Sequence, residues 1–209
     1  MISRRSKKLL FPTPIWIGHI SLDMLSGLSD YLYDMKSKGS DFGEQRRNVW
    51  KSSNMAQSSD FMELKTLLAE ETAYAMRDYD VAFDSIYLNN IWAQIGDQYW
   101  SHQEHHHPNS YFSGILYLKT PEGSGQTGFT KPGDAPMIQL DIASETYNDM
   151  NMGRYWETPV EGKYVIFPSW LRHSVDYGNH EGDRITLSWT AMPKATVDSW
   201  VNSTASIIY

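Results

Sequence analysis

The feature that most restricts the fold is a change of hydrophobic period after Val81. Downstream of it the chain runs through SIYLNNIWAQIG (85–96), YFSGILYLKT (111–120), GKYVIFPSWL (162–171) and DRITLSWTAM (183–192). These segments are short, rich in β-branched and aromatic residues, and separated by Gly, Pro, Asn or Asp, the pattern of strands joined by turns. Upstream, Leu25, Leu28, Leu32 and Met35 recur at helical spacing between Ser21 and Gly39. Phe61, Leu64, Leu68 and Ala75 do so between Asp60 and about Asp78. Ser21 and the Asp60/Glu63 pair read as helix starts. Two helices followed by about eight strands predict an α+β, mainly β chain, with the N-terminal helices packed on one sheet of a β-sandwich or jelly roll.

The chain has 209 residues, 41% of them hydrophobic, enough for one sizeable core. No repeat or Gly/Ser linker divides it, so residues 1–209 read as a single domain. Residues 1–80 supply an extended segment and the supporting helices, and 81–195 the β core. Residues 40–57 are polar and read as loop. Residues 122–161 are weakly patterned and read as a long loop or insertion, within which Met150-Asn151-Met152 is either a lid or an idle stretch. Pro12 and Pro14 break the apolar stretch after the basic N-terminus, so no signal peptide is expected, and no apolar run is long enough for a membrane span. The net charge of −7 argues against affinity for duplex nucleic acid. There is no cysteine, which fits a reducing, cytoplasmic setting and excludes thiolate metal sites.

Four of the seven histidines lie in HQEHHHPNS (102–110). Any metal here must be held by histidine and carboxylate, which suits Fe(II), Zn(II) or Mn(II). In an extended segment side chains alternate, so His105 and His107 share one face and His102, Glu104 and His106 the other. Either His105/His107 or His102/Glu104 could supply two ligands. A third must come from afar. His19 and His180 are available, but His173 is the best placed, directly after the apolar strand YVIFPSWL (164–171). Eleven residues on, Arg184 opens RITLSW. Arg184, Thr186 and Ser188 share a face there, and an arginine so placed can hold a carboxylate through a bidentate fork.

These elements in this order resemble the 2-oxoglutarate- and Fe(II)-dependent oxygenases, and in particular a small family of such oxygenases common in bacteria and marine phages. The matching stretches are LFPTPIW (10–16), HHHPNS (105–110), SGILYL (113–118), FPSWLRHSV (167–175) and RITLSW (184–189). The resemblance implies a double-stranded β-helix of cupin-like type. It assigns His105, His107 and His173 to iron and Arg184 to the far carboxylate of 2-oxoglutarate. Tyr117, or less directly Ser113, is implied as a second donor to that co-substrate. It further implies O2-dependent hydroxylation of an unidentified substrate, a small molecule or a macromolecular side chain, with decarboxylation of 2-oxoglutarate to succinate.

One departure stands out. The superfamily's usual triad contains a carboxylate. A site with His107 in that place has none, unless His102 and Glu104 are the proximal pair. Glu104 is otherwise a hydrogen-bond partner for a ligating histidine. Trp100 and Trp156 are candidate walls of a substrate pocket. Two other readings remain at this point: a cupin-like Zn or Mn protein with non-oxygenase activity, and a non-catalytic β-sandwich binding module. A homodimer is compatible with the sequence, as is the cytoplasm of an infected host if the chain comes from a phage.

Overall fold

The computed structural model describes residues 9, 11–133, 148 and 152–195. Besides a short 3-10 helix at Ser40–Phe42, they form eleven strands and two α-helices. In chain order they are β1 (Trp16–His19), α1 (Leu28–Ser37), β2 (Gly43–Arg46), β3 (Val49–Ser52), α2 (Met62–Asp78), β4 (Ser85–Gly96), β5 (His102–His105), β6 (Phe112–Lys119), β7 (Thr127–Thr130), β8 (Arg154–Glu157), β9 (Lys163–Pro168), β10 (His173–Val175) and β11 (Arg184–Lys194). They form two antiparallel sheets. The major one has the order β1-β9-β6-β11-β4-β3-β2 and the minor one β5-β10-β7-β8. The protein is a jelly roll.

Strand alternation gives the major sheet two different faces. On β11, Ile185, Leu187, Trp189 and Ala191 join Ile91, Ala93 and Ile95 of β4 and Phe112, Leu116 and Leu118 of β6 in one buried cluster. That cluster also contains Leu28, Leu32 and Met35 of α1 and Leu64, Leu68 and Met76 of α2. The helices therefore cover this face, each fully buried leucine or isoleucine contributing about 1.5–3 kcal/mol. Trp189 Nε1 donates to Thr72 Oγ1 at 2.9 Å, a polar tie between β11 and α2 inside the apolar layer. The opposite face, carrying Trp92, Gln94, Arg184, Thr186 and Ser188, is left for the minor sheet and the site.

Three local expectations are corrected. Residues 40–57 are not simply loop: GEQR and VWKS form the hairpin β2–β3, and β3 pairs with β4 through Val49–Gly96 and Trp50–Ile95. A hairpin whose outer strand is polar hides from hydrophobic patterning, because only Val49, Trp50 and Ser52 are buried. The helix starts also differ. Residues 22–27 form turns before α1, and α2 is preceded by Phe61 in the left-handed region (φ 54°) with no side-chain cap. The Asp60 carboxylate instead accepts from Tyr31 Oη at 2.8 Å and Ser58 Oγ at 2.7 Å. Finally, β7 and β8 lie within 122–161 and pair with each other. Met150 and Asn151, of the stretch read as either a lid or an idle loop, lie outside the described residues.

Candidate metal centre

Three elements bring the site together. β5 ends at His105, which is paired with His173, the first residue of β10. His107 follows β5, and its backbone N–H donates to Ser169 O at 3.0 Å, pinning it against the FPSW turn. One nitrogen from each of His105, His107 and His173 falls within 4.8 Å of the others. Two of the three outward nitrogens are already committed. His105 Nδ1 bonds Gln103 O at 2.8 Å, and His173 Nδ1 bonds Leu171 O at 2.9 Å. As donors to carbonyls, these Nδ1 atoms carry the proton, leaving each Nε2 as a lone pair aimed inward.

The chemistry of this set fits a divalent ion. His107 Nε2 and His173 Nε2 are 3.1 Å apart. Two imidazole nitrogens bound side by side at about 2.1 Å from one ion, at a right angle, would be about 3.0 Å apart. Burial, and then the neighbouring His105, push His173 down to about 3. The same two causes, in that order, push His107 down to about 4. Burial also lowers His105. The three rings are thus neutral at pH 7, the form that binds metal.

The register explains where the other candidates go. Val175 pairs with His102 and His173 with His105, so residues 103 and 104 together oppose Ser174 alone. This bulge breaks the two-residue alternation. His102 lands beside His105, ring centroids 4.0 Å apart, instead of on Glu104's face. Glu104 is bonded to Thr130 Oγ1 and to Arg172 Nη1 (3.3 Å). It is not in the histidine cluster. His106 is exposed, and His19 closes the edge strand β1. His180 is buried in the loop before β11.

Arg184 lies on the same cavity as the three histidines. It is 3% exposed, and its Nε and Nη2 have no hydrogen-bond partner among the described residues. Its guanidinium is 5.6 Å from the Trp100 ring and 5.4 Å from the Tyr117 ring. Trp100 is seated on Gly96, where an added Cβ would lie 2.9 Å from the indole. A buried, unpaired cation is costly unless an anion joins it, so the pocket fits a carboxylate. Burial lowers the Arg184 pKa, and Tyr117 opposes that.

Of the remaining predicted residues, Tyr117 is fully buried with its hydroxyl bonded to Thr127 Oγ1 at 2.8 Å. Ser113 Oγ is 2.7 Å from Ser169 Oγ. Neither side chain lines the histidine cavity. Trp156 stacks under Arg154 at 4.5 Å on β8 and does not line it either. Trp92, whose ring centroid is 5.5 Å from that of His107, and Gln94 do line it. Both were legible only as polar-face partners of β4 once its pairing with Thr186 and Ser188 is known.

Residues 90–190 match a family model described as "Putative 2OG-Fe(II) oxygenase". No curated protein matches the chain by sequence. Among solved structures, a Pseudomonas putida prolyl-4-hydroxylase is 14% identical over 86% of this chain and 94% of its own, with TM-score 0.59. The epimerase SnoN of nogalamycin biosynthesis, solved with Fe3+, alpha-ketoglutarate and nogalamycin RO, is 12% identical over 87% and 79%, with TM-score 0.60. The viral collagen prolyl hydroxylase of Paramecium Bursaria Chlorella virus-1, in its 2OG complex, is 12% identical over 87% and 96%, with TM-score 0.53. At these identities the likeness is one of fold. The sequence match identifies residues 90–190 as a 2-oxoglutarate- and Fe(II)-dependent oxygenase domain, an oxidoreductase.

Proposed function

We propose that the protein hydroxylates a substrate carbon, with His105, His107 and His173 holding Fe(II) and Arg184 holding the far carboxylate of 2-oxoglutarate. The observation that carries this reading is the buried Arg184 guanidinium on the histidine cavity, two of its nitrogens unpartnered among the described residues. Neither a Zn or Mn protein of another activity nor an inert sandwich requires a cation there. Bound iron would supply the redox chemistry: O2 and 2-oxoglutarate are consumed, succinate and CO2 are released, and one oxygen atom enters a substrate C–H bond.

The chain's own part is to bind, orient and neutralise. The carbonyls of Gln103 and Leu171 fix the tautomers and ring directions of His105 and His173. Three neutral ligands leave the ion's charge undiminished, which strengthens its hold on an anionic co-substrate. Arg184 compensates the second carboxylate. Trp100 and Tyr117 keep water from its flanks. Thr186 and Ser188 add hydroxyls to the cavity wall, and Ile115 and Val175 keep it partly apolar.

Anaerobic addition of Fe(II) and 2-oxoglutarate should produce the weak visible charge-transfer band of the chelate. Arg184→Met should weaken 2-oxoglutarate binding by about 100-fold, the loss of a charge-assisted pair. Absence of the band, or unchanged 2-oxoglutarate affinity in Arg184→Met, overturns the reading.

A further inference from the structure

A second cavity opens next to the histidine site. It is a groove of about 400 Å3, and Gln94, Trp100 and His102 line both spaces. Its other walls have an unusual charge for this chain. Arg46, Arg47 and Lys51 all line it, and no carboxylate does so among the described residues. In a protein of net charge −7, three cations around one groove run against the general balance.

The segment that carries these cations is held in place. They sit on the β2–β3 hairpin, Arg46 and Arg47 at its tip. The tip is tied to the 97–101 loop by Asp97 N–H donating to Asn48 O at 3.1 Å and Asn48 Nδ2 donating to Tyr99 O at 3.3 Å. Arg46 is partly offset by Glu44 at 3.0 Å. Among the described residues, neither Arg47 nor Lys51 has an ion-pair partner. Lys51 is half-buried, with its ammonium 5.0 Å from the centroid of Trp92, the ring that in turn packs on His107. A line of contacts thus runs from the basic groove to the histidines. Tyr99 and Tyr177 are 65% and 71% exposed and, with Trp100, give the groove an aromatic wall.

We propose that this groove binds the substrate, and that the substrate is an anion: a phosphate or carboxylate group held by Arg47 and Lys51, on a body that lies against Tyr99, Trp100 and Tyr177. The assignment rests on the oxygenase reading for what happens next, because the shared wall of Trp100, Gln94 and His102 delivers the body of such a molecule to the histidine site. The groove's volume suits a small molecule or one side chain. Its cations steer an anion in and its aromatic wall holds the remainder.

The test uses the full-length protein, loaded anaerobically with Fe(II) and saturating 2-oxoglutarate so that the Arg184 pocket is filled. Phenyl phosphate, benzoate and benzyl alcohol are titrated calorimetrically while the charge-transfer band is followed. One or both anions should bind at least ten-fold tighter than the alcohol, and their affinity should fall with added salt. The tighter anion identifies the group. Arg47→Gln/Lys51→Gln should lose at least ten-fold in anion affinity, with benzyl alcohol binding and the band unchanged. Arg47→Glu, at an exposed turn position, repeats the test should the double variant fold poorly. Anions that bind no better than the alcohol, or equally well in both variants, overturn the proposal. If the band never forms but the anion preference and its loss in the variants persist, the groove assignment stands and the iron reading falls.

Discussion

The buried histidines make the protein's stability depend on pH. His173 is held at about 3 and His107 at about 4 by burial and their neighbours, against 6.5 for a free imidazole. The unfolded chain therefore takes up protons on these groups at a pH where the folded chain does not. Stability is complete above pH 6.5 and is lost as pH falls towards 3–4, not as it rises. For His173 alone the loss between pH 6.5 and 5 is about 2 kcal/mol at most, at about 1.4 kcal/mol per pH unit. Metal-free protein should show a melting temperature that drops by several degrees from pH 7 to 5. His173→Gln should flatten that slope. A pH-independent melting curve would contradict the burial of these rings. At the same scale, Glu104→Ala should leave iron binding within a few-fold, because its carboxylate is engaged with Thr130 and Arg172. His107→Ala should weaken it by 100-fold or more, measured as iron retained after gel filtration. The opposite result would return the proximal pair to His102 and Glu104.

Elements explain what could be read in advance and what could not. β11 was legible because its alternation is unbroken: Arg184, Thr186 and Ser188 face the site, and Ile185, Leu187 and Trp189 face the helices. β5 was not, because a bulge of one residue moves His102 to His105's side, and no hydrophobic pattern marks a bulge among polar side chains. The β2–β3 hairpin escaped because its outer strand is polar, leaving only Val49, Trp50 and Ser52 buried. The helix positions were legible from their apolar spacing, but their starts were not, since Asp60 finds its partner in Tyr31 of α1 rather than in the backbone of α2. The glycine of SGILYL acquires a reason at this scale. A Cβ on Gly114 would lie 2.1 Å from the Trp189 indole, the ring that Thr72 ties to α2. Gly114→Ala should push Trp189 out of its place between sheet and helix and cost about 2–3 kcal/mol, comparable to overpacking a tight core. Denaturant unfolding would check this. Trp189→Phe, which gives room at the same point, should partly rescue the variant, and failure to rescue would mean that the clash lies elsewhere.

At the scale of the whole molecule, the family match and the folding unit have different boundaries. The matched segment, residues 90–190, holds both histidine elements and Arg184. Yet its central sheet is completed from outside. β1 pairs with β9 over Trp16–His19, and β3 pairs with β4 over Val49–Lys51. α1 and α2 cover the buried face of β4, β6 and β11. Without residues 11–82 the chain would expose Ile91, Ile95, Leu116, Ile166, Leu187 and Trp189, each at most 3% exposed in the structure. An apolar face of that size drives association. It would also leave the edges of β4 and β9 open to pairing with other chains. A fragment of residues 83–195 should therefore fail to unfold cooperatively and should aggregate, even though it contains every residue assigned to iron and co-substrate. Residues 9–195 should unfold in one transition by both circular dichroism and tryptophan fluorescence. A shorter fragment that unfolds cooperatively and binds Fe(II) would show instead that the N-terminal strands and helices are an accessory to a self-sufficient β core. The basic groove makes the second half of that comparison informative, because Arg46, Arg47 and Lys51 all lie on the removed hairpin. Anion binding would then be lost even from a fragment that kept its iron.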